Sequence, residues 1–417
     1  MVAGYGMPDT SLSEQDVLSI LKEGLSRELV SDKRILVLTP DSTRTCPLPM
    51  MIREIAQVVG SRTAQLDFMV ALGTHQPMER DEILSLYGLT DETSEKLLPG
   101  SRFMNHRWDL PDTLTVIGRL DEDDVEAVSG GRFRNSVDVS INRHVFDYDL
   151  ILILGPVFPH EVAGFSGGDK YLFPGVSGGD FLHFTHWMGA VVTNWDTIGI
   201  QNTPVREAIT RAAGLVSVPR LCVSMVVKPG MELAGLYVGE TAESWAAAAE
   251  LSAQIHILYK DNPFNTVLGT ASPMYEEIWV AGKVMYKLEP VVADGGTLII
   301  YGKHINRVSD TWGDQIIRVG YHTRDFFLKR MDQFKEIPGG VLAHSSHVRG
   351  LGTFENGVEK SRINVVLATS IPEDQCRAIN LGYMNPNSIN MDDYMNREDE
   401  GVLFVENAGE ILYRLKE

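Results

Sequence analysis

The chain has 417 residues, 44% hydrophobic and 22% charged, with a formal net charge of −19. That length exceeds one ordinary domain and predicts two or three, and the apolar share supplies a sizeable core. The negative excess excludes nonspecific nucleic-acid binding, which needs clustered Lys and Arg, but not an anionic small ligand, because local charge can differ from the total. Cys46, Cys222 and Cys376 lie far apart with no CxxC pair, which excludes a disulfide framework and a zinc ribbon. The N-terminal stretch has neither a basic start nor an apolar run, so no signal peptide is expected. No apolar run reaches membrane-spanning length. A cytoplasmic two-domain enzyme or binding protein is the expectation.

In chain order, Ser13 opens a helix in which Val17, Ile20, Leu21, Leu25 and Leu29 recur at helical spacing. Residues 34–40 form a short apolar run consistent with a buried parallel strand, ending in Asp41-Ser42-Thr43-Arg44. Pro47 and Pro49 open a helix to about Val59. A second such strand, residues 66–73, ends in Thr74-His75 before a helix opened by Pro77. Strand, polar loop and helix, twice over, predict a parallel α/β sheet. Ligands of such sheets sit at the carboxyl ends of the strands, where Asp41, Arg44 and His75 fall.

Residues 90–148 read as less regular and are rich in Asp, Arg and Gly. A third strand, 148–155, leads into Pro156–Gly189, where three His, one Lys and seven Gly crowd together. Beyond it, 205–213 reads as helix, 220–227 as strand, and the Ala-rich 241–257 as helix. Residues 259–264 read as a linker. A second α/β unit follows: strand 265–269, helix 275–287, an Asp294-Gly-Gly turn, strand 297–301 and a later strand at 363–368.

The crowded stretch resembles two reactive motifs and fails both. Against the phosphate loop GxxxxGK[ST], Asp169 replaces the second Gly and Tyr171 the Ser or Thr; against HExxH, Gly164 replaces the second His. Single histidines such as His75 and His160 can be ordinary capping or surface residues, but two of them with an Arg and an Asp at strand ends suit acid–base chemistry. His183 and His186, three apart, would share a helix face, and either could ligate a metal. Arg44 offers a fork matched to a carboxylate or phosphate, unless it only pairs with Asp41 in the turn. Lys283 by position alone reads as an exposed helix lysine. For most of His304, Arg307, His322, Arg324, His344 and His347, solvated surface is the expectation.

Together these motifs resemble the lactate racemase family, whose members carry a nickel-pincer nucleotide. Asp41–Arg44 (DSTR) looks like the family's DxTR, and Gly73-Thr74-His75 like its first catalytic-histidine motif. His160 with AGFSGGDK resembles the second catalytic histidine and Gly-rich loop, Lys170 stands ten residues on, and His186 falls at the spacing of the nickel ligand. The resemblance implies that His75 and His160 act as bases on opposite faces of a 2-hydroxy acid. Arg44, Lys283 and Trp279 would bind that substrate. Lys170 would hold the nickel pyridinium-3-thioamide-5-thiocarboxylic acid mononucleotide, made by other enzymes, and His186 its nickel. Asp41, Ser42, Thr43, Gly164, Phe165, Ser166, Gly167 and Gly168 would line the nucleotide.

One departure bears on substrate. Where the family typically reads Tyr-Gln-Ala-x-Lys, this chain has Trp279-Val280-Ala281-Gly282-Lys283, which implies racemisation or epimerisation of a 2-hydroxy acid other than lactate. The expected architecture is α/β, with two mainly parallel sheets flanked by helices and the active site in the interdomain cleft. Residues 1–260 would carry cofactor and histidines, 265–400 would close over substrate, and 401–417 could return to the first domain. The alternatives are a zinc hydrolase using His75, His160 and His186, which would need three protein ligands and an open position, and a non-catalytic cofactor carrier.

Overall fold

Apolar runs without alternation become parallel strands here, as strands covered on both faces require. In the computed structural model, which describes residues 2–416, Ile35, Leu36, Val37 and Leu38 are all buried, as is the whole of Leu150–Pro156. These strands belong to the first of two compact units. That unit takes the chain up to Phe158, then Phe165–Leu182 and Gln201–Ile255; the second takes Pro159–Gly164, His183–Ile200 and the chain from His256 onward.

The first unit holds a seven-stranded sheet in the order Ala3–Gly6, Glu232–Gly239, Arg220–Lys228, Leu150–Pro156, Arg34–Thr39, Gln65–Val70, Phe103–Asn105. The last five run parallel, and the first two close one edge antiparallel. Arg34 pairs with Gln65 and Thr39 with Val70, so the two strands end level and their following loops emerge side by side. Ser13 caps the helix Glu14–Gly24 in a capping box with Asp16. Ile20, Leu21, Ile52, Ile55 and Val59 bury with Ile35, Val37 and Phe68 in one apolar cluster. Each such side chain contributes roughly 1.5–3 kcal/mol.

Residues 90–148 are more regular than their composition suggests. Helix Asp91–Leu97 precedes strand Phe103–Asn105, and strands Leu114–Leu120 and Val137–Asn142 pair antiparallel around helix Glu122–Ser129. The acidic run there is a helix start: Asp121 caps Asp124, and Glu122, Asp123 and Asp124 occupy the first turn, where negative charge complements the helix dipole.

The second unit holds an all-parallel five-stranded sheet in the order Gly382–Tyr383, Asn364–Thr369, Val292–Gly302, Phe264–Ala271, Val402–Ala408. Leu268, Ile299 and Ala368 bury at its centre. The fold is thus α/β in two units, as expected, but the division differs from a cut near residue 260. The segments carrying His160 and His186 belong to the second unit. The described part of 401–417, up to residue 416, pairs within the second unit: Val402–Ala408 with Phe264–Ala271, and Leu412–Leu415 with Ile257–Lys260. That last pairing turns the front of the expected linker into a strand and leaves only residues 261–263 between strands.

Candidate functional site

In the first unit the level strand ends bring residues 41–44 and 72–75 together. Asp41 Oδ1 accepts from the Thr43 N–H (3.0 Å) and hydroxyl (2.7 Å), and Oδ2 takes a hydrogen bond from His75 Nδ1. Burial alone would raise the Asp41 pKa. The charge and hydrogen bond of His75, then Arg44 and the Thr43 hydroxyl, outweigh it and hold the carboxyl well below the usual range. The His75 backbone is fixed as well, its N–H on Leu72 O (2.9 Å) and its carbonyl on Trp108 Nε1 (2.7 Å). Arg44 is half-buried and donates to the Thr43 carbonyl and hydroxyl, both at 3.3 Å. Ser42 is exposed in the same turn. Asp41, assigned from sequence to the nucleotide, is also the partner of His75, a contact that only the strand register reveals.

The loop bearing Lys170 is tied to this group. Gly73 N–H donates to Gly175 O at 2.9 Å, from a left-handed conformation (φ 59°) that favours glycine. Lys170 is half-buried in a short turn, Gly168–Tyr171, between Asp169, paired to Arg220 at 2.7 Å, and Tyr171. Burial pushes the Tyr171 phenol well above its ordinary value, and the charges of Cys46, Arg44 and Asp41 act on it.

Gly164, Phe165, Ser166, Gly167 and Gly168 are buried, and their polar groups are used internally. Phe165 O and Gly167 O accept from Arg206, whose guanidinium lies 4.2 Å from the Trp245 ring centre; burial lowers Arg206 to about 10. Ser166 O accepts from Trp245 Nε1 (2.8 Å), and Ser166 Oγ bridges Phe158 N and Pro156 O. A Cβ at Gly167 would stand 2.7 Å from Val157, and one at Gly168 3.0 Å from Trp245. These glycines make room for protein. Arg206 and Trp245, which hold them, carried no sequence signal.

In the second unit His160 is 6% exposed. Its Nδ1 accepts the Val162 N–H at 3.1 Å, and the Glu161 carboxylate stands 3.4 Å from the same nitrogen. The peptide before it is held by Lys287, 2% exposed, whose Nζ donates to Pro159 O and, at 3.3 Å, to Glu410 O. Lys287 is another residue the sequence did not single out. Helix Gly179–Val192 carries His183 and His186, both half-buried. His183 Nδ1 accepts from the Gly340 N–H (3.3 Å), and its ring meets Trp312 edge-on at 5.6 Å.

Trp279 and Lys283 lie four apart on helix Ile278–Leu288, hence on one face. The indole packs on His344 with centroids 4.5 Å apart and reaches Trp312 at 6.3 Å; Lys283 Nζ lies 4.6 Å from the Tyr275 ring centre. Val280 points away, 8% exposed. His344 and His347 are buried, which corrects their expected place on solvated surface. Burial pushes their pKa down to about 3 and about 4, so both stay neutral near pH 7. His322 is likewise half-buried, paired to Glu359 at 2.7 Å and stacked on Phe326.

Among the described residues no three His, Cys, Asp or Glu stand together as a metal-binding set. Nor is any helix among them long and apolar enough to cross a membrane.

Comparison with known proteins gives consistent results. The profile of the lactate racemase N-terminal domain matches residues 15–198. The lactate racemase of Thermoanaerobacterium thermosaccharolyticum is 23% identical over 308 residues, covering 71% of this chain and 67% of that protein. That of Lactiplantibacillus plantarum is 21% identical over 305 residues, 69% of this chain and 66% of its own. The chain thus spans about two thirds of the length of each. A Thermotoga maritima protein solved by structural genomics is similar over 99% of this chain and 100% of its own, with 31% identity and a TM-score of 0.91. The apoprotein structure of the T. thermosaccharolyticum lactate racemase shares the fold at a TM-score of 0.75 and 17% identity, over 99% and 95% of the two chains.

Proposed function

Because the chain belongs to the lactate racemase family, we propose that it inverts the C2 centre of a 2-hydroxy acid other than lactate. The observation that carries this reading is the Asp41–His75 pair with Arg44 in the same turn, an oriented imidazole beside a carboxylate-binding fork. Inversion through a planar 2-keto acid requires the hydroxyl proton to leave from one face and return on the other. His75 and His160 are the two groups assigned to that proton, one for each enantiomer. Arg44 is assigned to the substrate carboxylate, and Lys283 is the second cation assigned to the substrate.

Lys170 would hold the nickel-pincer nucleotide and His186 its nickel. When bound, that group supplies a reversible hydride acceptor, chemistry that side chains lack. The residues fit such a group. Lys170 is a half-buried amine in a turn braced by Asp169 and Arg220, and a group bringing its own carbon and sulfur donors needs only one imidazole. His186, sixteen residues after Lys170, and not His183, falls at the spacing that assigns it that place. In this reading Asp41 orients His75, and Gly164–Gly168 shapes the turn of Lys170, its carbonyls at 165, 166 and 167 being already used.

The substrate reading rests on Trp279. The indole replaces the family's usual phenol on the Lys283 face and removes its hydroxyl. The change of amide to Val280 is a core substitution, since that side chain is buried. Metal analysis, mass spectrometry of the Lys170 peptide and chiral chromatography across a 2-hydroxy acid panel test the whole reading. Nickel, an adduct on Lys170 and inversion of an acid other than lactate are expected. His75→Ala and His160→Ala should abolish turnover and keep the adduct, while Lys170→Ala loses it. Zinc with an unmodified Lys170 sinks the reading, and loaded protein inert on every acid favours a carrier.

A further inference from the structure

We infer that, when neutral, the two histidines hold opposite tautomers, His75 with its proton on Nδ1 and His160 with its proton on Nε2, so that in that state only His75 can accept a hydroxyl proton at Nε2. The functional half of this inference rests on the proposed role of the two residues; the tautomers stand on geometry alone.

At His75 the partner of Nδ1 is a carboxylate. Asp41 is ionised, and its other oxygen is occupied by the two Thr43 donors. An ionised carboxylate only accepts, so Nδ1 must carry the hydrogen, and whenever the ring is neutral Nε2 is left with a lone pair. At His160 the partner of Nδ1 is the Val162 backbone N–H at 3.1 Å. A peptide N–H only donates, so here Nδ1 supplies the lone pair and the neutral ring carries its proton on Nε2. The Glu161 carboxylate would favour the reverse, but at 3.4 Å it is well beyond the 2.7–2.9 Å of a charge-assisted bond.

The consequence is a handed pair of neutral rings. In that state His75 Nε2 is a base. With the ring neutral, His160 Nε2–H is a hydrogen-bond donor, and that nitrogen becomes a base only after the ring changes tautomer, losing the Nε2 proton to water and taking one from water at Nδ1 in place of the Val162 amide hydrogen bond. Glu161, beside that nitrogen, is the acceptor such a proton would meet. The enantiomer whose hydroxyl faces His75 can react at once, whereas its mirror image waits on that exchange.

Long-range proton–nitrogen NMR of the full chain labelled with 15N-histidine reads the tautomers directly, above the ordinary imidazole titration range. His75→Gln and His160→Gln assign the two rings. The expected spectrum has a pyrrole-type Nδ1 at His75 and a pyrrole-type Nε2 at His160. Asp41→Asn should reverse His75, because the Asn carbonyl stays with Thr43 and its NH2 then faces Nδ1. Glu161→Gln should leave His160 unchanged. The same tautomer at both rings, or a His160 pattern that moves with Glu161→Gln, overturns the inference. If a histidine variant fails to fold, neutron diffraction from deuterated crystals of the unsubstituted chain locates both protons. None of these readouts needs turnover, so a protein with these tautomers but no racemase activity would refute the proposed function and leave the tautomers standing.

Discussion

Replacing Asp41 by Asn removes one charge and little volume, and its cost can be worked from three hydrogen bonds. The two Thr43 bonds on Oδ1 survive on an amide oxygen at neutral strength. The bond to His75 changes character, from a buried charge-assisted contact to a neutral one with donor and acceptor exchanged. Bonds to charged groups contribute about 1.5–3 kcal/mol and neutral ones about 0.5–1.5, so the loss should be about 1–3 kcal/mol at pH 7. The pH dependence has a definite sign. The folded pKa of Asp41 is depressed below its unfolded value, so its contribution is full above about pH 4–5 and falls as pH drops below about 4. Denaturant midpoints of the two proteins should differ at pH 7 and converge under acid. Turnover should fall by roughly 10²–10⁴, the usual worth of a positioned base. Equal midpoints at pH 7, or a gap that widens under acid, would refute the reasoning.

Other outcomes follow from single contacts. Arg206→Lys loses the fork on Phe165 O and Gly167 O and the packing on Trp245, and thermal denaturation should show a loss of about 1–3 kcal/mol. Gly339→Ala would place its Cβ on the His183 carbonyl, which cannot move aside cheaply, at a cost of about 1–3 kcal/mol. Gly214→Ala, at a helix end with open space, is its control and should stay within about 0.5 kcal/mol. Lys287→Met leaves two buried carbonyls without their donor; turnover should drop through His160 while Arg44-dependent substrate affinity, read as KM, holds.

What the sequence made legible was local. Apolar runs gave the strands Arg34–Thr39, Gln65–Val70 and Leu150–Pro156 to within a few residues, and Ser13 marked a helix start. The pairing of Asp41 with His75 was hidden because it spans 34 residues and depends on Thr39 lying opposite Val70. A slip of one residue would have separated them. His344 and His347 looked like solvated surface because two serines stand between them, yet both lie on a helix buried along nearly its whole length. Lys287 was invisible for a related reason: only backbone carbonyls receive it, and carbonyls have no sequence signature.

The interleaving of the two units also sets an order of events at the ribosome. Pro159–Gly164 and His183–Ile200 leave the exit tunnel long before the sheet of their own unit, whose first strand begins at Phe264 and whose last ends at Ala408. Vectorial synthesis therefore strands both segments while most of the first unit can already assemble. A chain ended near residue 260 would keep them in that condition permanently, with His160, His183 and His186 on unclaimed peptide. Efforts to express the first unit alone should excise or replace these two segments, and full-length production should gain from chaperones that shield them until the C-terminus is made.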